Sequence, residues 1–248
     1  MRIKRLQGGM GKPVALVTGS AGSIGRAICL KLAKSGFDLA LHGRAARPAL
    51  RFLAQEAESA GARTVIFTAD LSRPSAAVAL GKRVTQRFGR LDLLVNSASE
   101  FSSTPMGGRP SDWDRLFRTN AVSPYFLSRS VASHLADVQG SIVNLIDIYA
   151  EHPVLVDHPA YLASKAALAA VTQVLARELA PMVRVNGVSP GAVTFPKAYS
   201  KAQCQKVAER SLLKKAGKAE DVAEAVLYLA GASFVTGQVI RVDGGRFI

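Results

Sequence analysis

Short apolar runs alternate along the chain with segments in which apolar residues recur at helical spacing. The runs are rich in Val, Ile and Leu and lack strict polar alternation, which is typical of strands buried on both faces of a sheet. Seven such strands are predicted, at Val14–Thr18, Leu39–His42, Thr64–Thr68, Leu91–Val95, Ser141–Ile146, Val183–Val188 and Val239–Val242. Six helices are predicted between them, at Ile24–Ser35, Ala46–Ala60, Ser75–Phe88, Ser111–Leu135, Tyr161–Ala180 and Ala219–Ala230.

This alternation of strand and helix predicts a parallel sheet with helices on both faces. We therefore expect a single α/β domain over residues 13–248, doubly wound in the Rossmann manner around a seven-stranded parallel sheet. Residues 1–12 are basic and contain glycine but lack the apolar core of a secretory signal, so they are predicted to be a disordered lead-in. The polar, Lys-rich stretch 192–218 has no clear predicted shape.

Composition argues against a membrane protein, a disulfide-bonded protein and a metal-binding protein. Hydrophobic residues make up 48% of the chain, but no window reaches the roughly 18 consecutive apolar residues that a membrane span needs. The two cysteines, Cys29 and Cys204, lie far apart, which favours reduced thiols and a cytoplasmic location. Neither they nor the four histidines show the spacing of metal ligands, so we expect no metal and no membrane association.

The formal net charge of +14 raises the alternative of a nucleic-acid partner, because clustered Lys and Arg neutralise phosphates. The basic residues are instead spread over predicted helix exteriors, without an aromatic-interleaved stripe or a helix-turn-helix pattern. We therefore predict no nucleic-acid partner and a surface that attracts anionic small molecules.

A glycine-rich segment, Thr18–Gly25, follows the first strand and opens the first helix. Such a turn lets the backbone approach a pyrophosphate, and the helix N-terminus supplies N–H groups and the positive end of the helix dipole. In this strand-turn-helix setting the segment predicts a dinucleotide site. The predicted contacts are Gly19, Ser20, Ser23, Ile24 and Gly25.

The second strand is followed by Arg44 with no acidic residue at its end. An acid there would bind a ribose 2′-hydroxyl, whereas an arginine can pair with a 2′-phosphate, so NADP (as NADPH) is predicted over NAD. The alternative is an ordinary surface arginine. After the third strand, Asp70 and Leu71 are placed to flank an adenine ring, although Asp70 could instead cap the next helix.

Three side chains can carry proton chemistry. Tyr161 and Lys165 stand at i and i+4 on one predicted helix, and a neighbouring ammonium is expected to lower the pKa of the phenol. Asp147 follows the fifth strand, and a carboxyl group there can accept or donate a proton toward a nitrogen-rich ring. The alternative is that Asp147 binds backbone N–H groups of the loop that follows.

Several motifs together resemble the short-chain dehydrogenase/reductase superfamily over about residues 13–245. They are Thr18-Gly19 with Gly25, Asn96-Ser97-Ala98-Ser99, Asn120, Tyr161-x-x-x-Lys165, Arg184-Val185-Asn186-Gly187-Val188-x-Pro190-Gly191 and Val242-Asp243-Gly244-Gly245. Within it the chain looks most like pteridine and dihydromonapterin reductases. That narrower resemblance rests on Asp147 in place of the usual serine, on Phe101 and on the stretch 177–188.

The resemblance implies a function and further site residues. Phe101 would stack a planar pterin, Asp147 and Tyr161 would deliver a proton to its ring nitrogen, and Asn120 would support a water-linked relay behind Lys165. It also implies a homotetramer. Further cofactor contacts are implied at Asn96, Ser97, Ala98, Tyr161, Lys165, Pro190 and Gly191.

The chain departs from the family pattern at three places. Ser23 replaces a glycine or basic residue, Ser97 replaces an asparagine, and the interval from Asp147 to Tyr161 is about one residue longer than expected. We therefore carry three hypotheses: an NADPH-dependent reductase of dihydropterins, a carbonyl or 3-oxoacyl reductase, and an NADP-sensing or nucleic-acid-binding protein without catalytic activity.

Overall fold

Seven strands form one parallel sheet in a computed structural model of the chain, which describes residues 11–105, 108–195 and 199–248. The strands lie in the order β3-β2-β1-β4-β5-β6-β7, and their neighbours pair in parallel. They are β1 (Val14–Val17), β2 (Asp38–Gly43), β3 (Thr64–Thr68), β4 (Leu93–Asn96), β5 (Ser141–Leu145), β6 (Arg184–Pro190) and β7 (Val239–Val242). The strand order reverses between β1 and β4, and ligands of such sheets bind in the crevice at this switch point.

Eight α-helices are found in the described part of the chain. They are α1 (Ser23–Lys34), α2 (Pro48–Ser59), α3 (Pro74–Phe88), α4 (Pro110–Phe117), α5 (Ser123–Ala136), α6 (Pro159–Leu179), α7 (Lys201–Ala208) and α8 (Ala219–Gly231). Two shorter pieces matter for the site: a π-helical turn at Arg118–Val122 between α4 and α5, and a 3-10 turn at Ile148–Ala150 after β5.

Helices cover both faces of the sheet. Successive strand residues point to opposite faces, so neighbours in one strand are buried in different cores. In β1, Ala15 and Val17 join a core formed with α1, α2 and α8, whereas Val14 and Leu16 join a core formed with α3, α5 and α6. All four side chains are at most 2% exposed. This two-sided burial explains why the strands are continuous apolar runs in the sequence.

The predicted sheet is confirmed, and the helices differ from prediction in two places. The predicted helix Ser111–Leu135 is in fact α4, the π turn and α5, because the chain widens by one residue per turn around Asn120. Helix α7 lies inside the stretch 192–218, and Ser200 caps it by accepting from the backbone N–H of Gln203 at 3.2 Å.

Of the predicted disordered segment 1–12, residues 1–10 lie outside the described residues. Lys12 is described, and its ammonium donates to the carbonyl of Gly61 at 2.6 Å.

Candidate functional site

The glycine-rich turn after β1 is held against the end of β4 by close backbone contact. Gly19 has φ +66°, and a Cβ there would lie 2.8 Å from the Cα of Ala98. Thr18 Oγ1 accepts from the backbone N–H groups of Ser97 and Ala98, both at 3.0 Å. A Cβ at Gly25 would lie 2.4 Å from the carbonyl oxygen of Gly19, so both positions need glycine.

The first turn of α1 is open for an anion. It contains no acidic residue, and no side chain caps it. Its N–H groups and the positive end of the helix dipole therefore face the turn, as a pyrophosphate site requires. The turn and α1 together form a cradle that fits a dinucleotide.

A cavity of about 570 Å³ lies at this switch point and contains most of the predicted cofactor contacts. The predicted residues that line it are Gly19, Ser23, Ile24, Gly25, Arg44, Leu71, Ser97 and Ala98. Lining residues that sequence reasoning missed include His42, Arg47, Ser99, Thr119 and Thr194. The spacing of strand, turn and helix predicts the end of the cavity that would bind the phosphates. The residues that the fold brings in from other loops do not share a sequence spacing that would identify them.

Other predicted cofactor residues turn their side chains elsewhere. Ser20 is fully buried, and its hydroxyl donates to the carbonyl of Val17 at 2.7 Å. The amide of Asn96 donates to Asn144 Oδ1 at 2.8 Å inside the fold. Gly191 donates its N–H to the carbonyl of Val242 at 2.9 Å, directly after Pro190 at the end of β6. At these positions only the backbone could reach a cofactor.

The region predicted to bind the 2′-phosphate is rich in arginine. Arg44 is exposed, and its guanidinium is 3.9 Å from Asp70 and 3.8 Å from Glu100. Arg47 lines the same cavity. The Asp70 carboxylate also accepts from the N–H and the hydroxyl of Ser72, so it stabilises a local turn and does not cap α3, which begins after Arg73.

His42 ties three segments together beneath the cavity. Its Nδ1 accepts from the N–H of Gly19 at 3.3 Å, and its Nε2 lies 3.1 Å from the carbonyl of Ala69. Burial lowers the pKa of His42 to about 4. The ring is therefore neutral at physiological pH, with its proton on Nε2, and it holds the glycine turn in place.

Asp147 and Tyr161 form a direct hydrogen bond. The Tyr161 hydroxyl donates to Asp147 Oδ2 at 2.7 Å, while Oδ1 of the same carboxylate accepts from the N–H of Tyr149 at 2.9 Å. The alternative role considered for Asp147 is present, because one oxygen accepts from the loop backbone and caps the 3-10 turn, while the other oxygen accepts from the phenol. Burial raises the pKa of Asp147, against the opposing effects of these hydrogen bonds and of Lys165.

The expected lowering of the Tyr161 pKa by Lys165 is wrong for this arrangement. Burial, followed by the adjacent charge of Asp147, raises the pKa of Tyr161 well above its ordinary value. The Lys165 ammonium lies 6.0 Å from the centre of the phenol ring and donates to the carbonyl of Leu145 at 2.7 Å. Burial lowers the pKa of Lys165 to about 8.

Asn120 lies in the π turn and joins the loop after β4 to α6. Its Oδ1 accepts from the N–H of Glu100 at 2.8 Å and from the Ser99 hydroxyl at 3.2 Å. Its Nδ2 donates to the carbonyl of Glu100 at 2.9 Å and to Ser164 Oγ at 3.0 Å, and Ser164 in turn donates to the carbonyl of Tyr161. The described contacts of this side chain are with these residues and not with Lys165.

Phe101 lies beside the Asp147–Tyr161 pair. It is 54% exposed, its ring meets the Tyr161 ring edgewise at 4.8 Å, and it stacks on His158 at 4.4 Å. Thr104 donates its N–H to the carbonyl of Asp157 at 2.8 Å, which joins the loops that carry Phe101 and His158. The site thus presents an aromatic ring and a carboxylate around one phenol hydroxyl, and sequence reasoning missed His158.

Within ranges 11–105, 108–195 and 199–248, no cluster of three or more His, Cys, Asp or Glu side chains could hold a metal ion. None of the helices described there is both long and apolar enough to cross a membrane.

Comparisons with known proteins match nearly the whole chain. A family model described as Enoyl-(Acyl carrier protein) reductase matches residues 19–246. Pteridine reductase 1 of Leishmania tarentolae is 32% identical over 277 aligned positions, covering 94% of this chain and 96% of its own. A 3-oxoacyl-acyl-carrier-protein reductase, FabG, of Staphylococcus epidermidis is 30% identical, covering 94% of this chain and 98% of its own.

A solved structure shares the fold at similar identity. It is a blue fluorescent protein from a metagenomic library in complex with NADPH. It is 30% identical, with a TM-score of 0.89 over 99% of this chain and 100% of its own.

Proposed function

Since the chain belongs to the short-chain dehydrogenase/reductase family, whose members are NAD(P)-dependent oxidoreductases, we propose that it is an NADPH-dependent reductase of dihydropterins that yields tetrahydropterins. The observation that carries the proposal is the 2.7 Å hydrogen bond between Tyr161 and the half-buried carboxylate of Asp147, with Phe101 beside it. A pterin is flat and carries ring nitrogens, so it offers both a surface for the aromatic ring and a partner for the carboxylate.

The cofactor is NADP, and the described residues suit it. The N-terminus of α1 would receive the pyrophosphate, and Arg44 with Arg47 would receive the 2′-phosphate. When bound, NADPH supplies a hydride to the carbon of a ring C=N bond.

The chain must then supply one proton to the adjacent ring nitrogen. Tyr161 keeps its proton at neutral pH, as an ordinary phenol does and more firmly because its pKa is raised, and its hydroxyl donates to Asp147 Oδ2. Asp147, whose own pKa is raised by burial, can take up a proton and pass it on. The two groups act as one acid, which is why we assign proton delivery to the pair.

Asn120 and Lys165 are assigned as supports of the reacting pair. Lys165 places a buried ammonium under Tyr161, anchored on the carbonyl of Leu145. Asn120 holds the backbone on both sides of Glu100, directly before Phe101, and thereby sets the position of the aromatic ring.

A second candidate is reduction of a ketone or 3-oxoacyl thioester. It is supported by the FabG relative, which matches this chain about as well as the pteridine reductase does. That reaction needs Tyr161 to protonate a carbonyl oxygen, and Asp147 would occupy a position for which a hydroxyl suffices.

The test is a substrate panel with NADPH. Purified protein is assayed with dihydrobiopterin, dihydromonapterin, ketones and a 3-oxoacyl thioester by loss of cofactor absorbance. We expect turnover of a dihydropterin, and we expect Asp147→Ala to lower its kcat by about 10² or more while the Kd for NADPH stays near wild type. Asp137→Ala, which removes an exposed carboxylate at the end of α5, is the matched control.

The two candidates predict opposite results for Asp147→Ser. If the enzyme reduces pterins, this variant loses pterin turnover as Asp147→Ala does. Retained or improved reduction of ketones by Asp147→Ser, with no turnover of any pterin by the wild type, would establish the second candidate and remove the first.

We also propose a homotetramer in the cytoplasm. Exposed apolar side chains on and beside α5 and α8 support association, namely Phe126, Tyr228 and Phe234. The free state of Cys29 and Cys204 supports a reducing compartment. Light scattering on the purified protein measures the mass, and a monomer at micromolar concentration would contradict the tetramer.

A further inference from the structure

Glu100 lies between the proposed 2′-phosphate site and the loop that carries Phe101. Its carboxylate Oε1 is 2.9 Å from Nε of Arg115, and its Oε2 is 3.8 Å from Nη2 of Arg44. The side chain is only 17% exposed. A charged group in this setting needs partners, because solvation by water is largely lost.

One oxygen of this carboxylate is incompletely satisfied. Oε2 is buried and makes no hydrogen bond to the described residues, since 3.8 Å exceeds hydrogen-bond distance. Arg44 is the cation that faces it, and Arg44 is also 3.9 Å from Asp70. The guanidinium is therefore attracted by two carboxylates but held tightly by neither, and it can be drawn away by a stronger anion.

We propose that Glu100 is a specificity-determining residue for the cofactor: it acts as an internal counter-anion that competes with the 2′-phosphate for Arg44. A phosphate dianion that reaches Arg44 forms shorter, bidentate hydrogen bonds and displaces the loose contact with Glu100. Glu100 thus weakens the binding of NADPH, and it leaves the binding of NADH nearly unchanged because NADH presents no phosphate there. Glu100 acts on cofactor binding in this way whichever substrate is reduced.

The negative charge of Glu100 can be removed without disturbing the fold, for two reasons. The backbone N–H and carbonyl of Glu100 are held by Asn120, and this clamp does not involve the side chain. A glutamine at position 100 keeps the shape of the side chain and can still accept from Arg115. The substitution therefore removes one negative charge with little change in packing.

The experiment uses two probes that differ by one phosphate, adenosine 2′,5′-bisphosphate and 5′-AMP. Their Kd values are measured by calorimetry for the wild type and for Glu100→Gln. We expect the bisphosphate to bind Glu100→Gln about threefold more tightly, as for loss of one weak, partly exposed ion pair that competes for Arg44, and AMP to bind equally to both proteins. The gain should shrink as salt is added.

Matched variants separate this effect from a general change in charge. Glu178→Gln removes a carboxylate that pairs with Arg129 at 3.0 Å outside the residues lining the cavity, and it should leave both Kd values unchanged. Arg44→Ala should weaken binding of the bisphosphate, and in its background Glu100→Gln should have no further effect.

Arg115→Gln is a second variant, which should change the affinity for the bisphosphate in the opposite direction. Without Arg115, Glu100 is free to pair more closely with Arg44, so the bisphosphate should bind more weakly. The proposal is overturned if Glu100→Gln weakens bisphosphate binding or leaves it unchanged, if it tightens AMP equally, or if its effect persists when Arg44 is absent. Should Glu100→Gln fail to fold, unchanged or tighter bisphosphate binding by Arg115→Gln overturns it instead.

Discussion

The buried ammonium of Lys165 should make the stability of the protein increase as the pH rises above neutrality. Lys165 is 2% exposed, and burial lowers its pKa from 10.5 to about 8. The unfolded chain binds the proton more tightly than the folded one, so the stabilising contribution is complete above 10.5 and is lost as the pH falls through 8. At pH 7 the charged lysine therefore destabilises the fold by about 3 kcal/mol.

The contribution of Lys165 to the pH dependence of stability can be isolated with Lys165→Met. This variant keeps an unbranched buried side chain but has no group that titrates there. Between pH 7 and pH 9.5 the two pKa values predict that the wild type gains about 2 kcal/mol of unfolding free energy relative to this variant. Both charge states of Lys165 carry N–H groups that can donate to the Leu145 carbonyl, and any difference between them is already part of the pKa, so the remaining loss in the variant is a constant that cancels when the difference is followed against pH.

Urea denaturation at one protein concentration measures this difference, since association would add a concentration-dependent term. Parallel curves of unfolding free energy against pH for the two proteins would refute the reasoning, because Lys165 would then be no more difficult to charge in the fold than in water. The variant should also lose reductase activity, so Lys165 would be retained at a cost in stability.

Changes at Tyr161, Cys29 and Gly25 test the proton donor, the core and the glycine turn. Tyr161→Phe removes the hydroxyl that meets Asp147 and should lower kcat by about 10² to 10⁴ in steady-state assays, while binding of NADPH is preserved. Burial raises the pKa of Cys29 to about 12, so mass spectrometry after iodoacetamide should find Cys204 modified in the native protein and both cysteines modified only in urea. Gly25→Ala places a Cβ 2.4 Å from the Gly19 carbonyl oxygen. The Kd for NADPH should therefore rise at least about tenfold, and the melting temperature should fall. A Kd equal to that of the wild type would contradict the close approach.

The sheet was predictable because burial on both faces leaves a direct trace in the sequence. The strand Ser141–Leu145, for example, is buried at every position and appears as an apolar run with one internal asparagine. Helix α7 leaves no such trace, because most of its residues are exposed and it shows little apolar periodicity. Its N-terminal Ser200 and Gln203 form a capping box, a signal that could have identified it.

The candidate site was predictable where a motif lies within a few residues of sequence, and less so where it depends on long-range contacts. Tyr161 and Lys165 share one helix, so their proximity follows from helical spacing. The rise in the Tyr161 pKa depends on how deeply the hydroxyl is buried and on the orientation of Asp147, and neither is encoded by spacing. The approach of Glu100 to Arg44 joins the ends of β4 and β2, which only the folded sheet reveals.

The widened turn at Arg118–Val122 makes this stretch tolerant of a change in length by one residue. The N–H of Ser123 bonds to the carbonyl of Arg118, five residues back, so the turn accommodates one residue beyond the regular helical repeat. Deleting that one residue would restore the regular repeat and leave α5 facing the same way relative to α4. Ser130 would then keep its place against Gly81, where a Cβ on the glycine would lie 2.2 Å from the Ser130 hydroxyl. When homologous chains are compared, a one-residue gap in this helical stretch should therefore be placed at the widened turn.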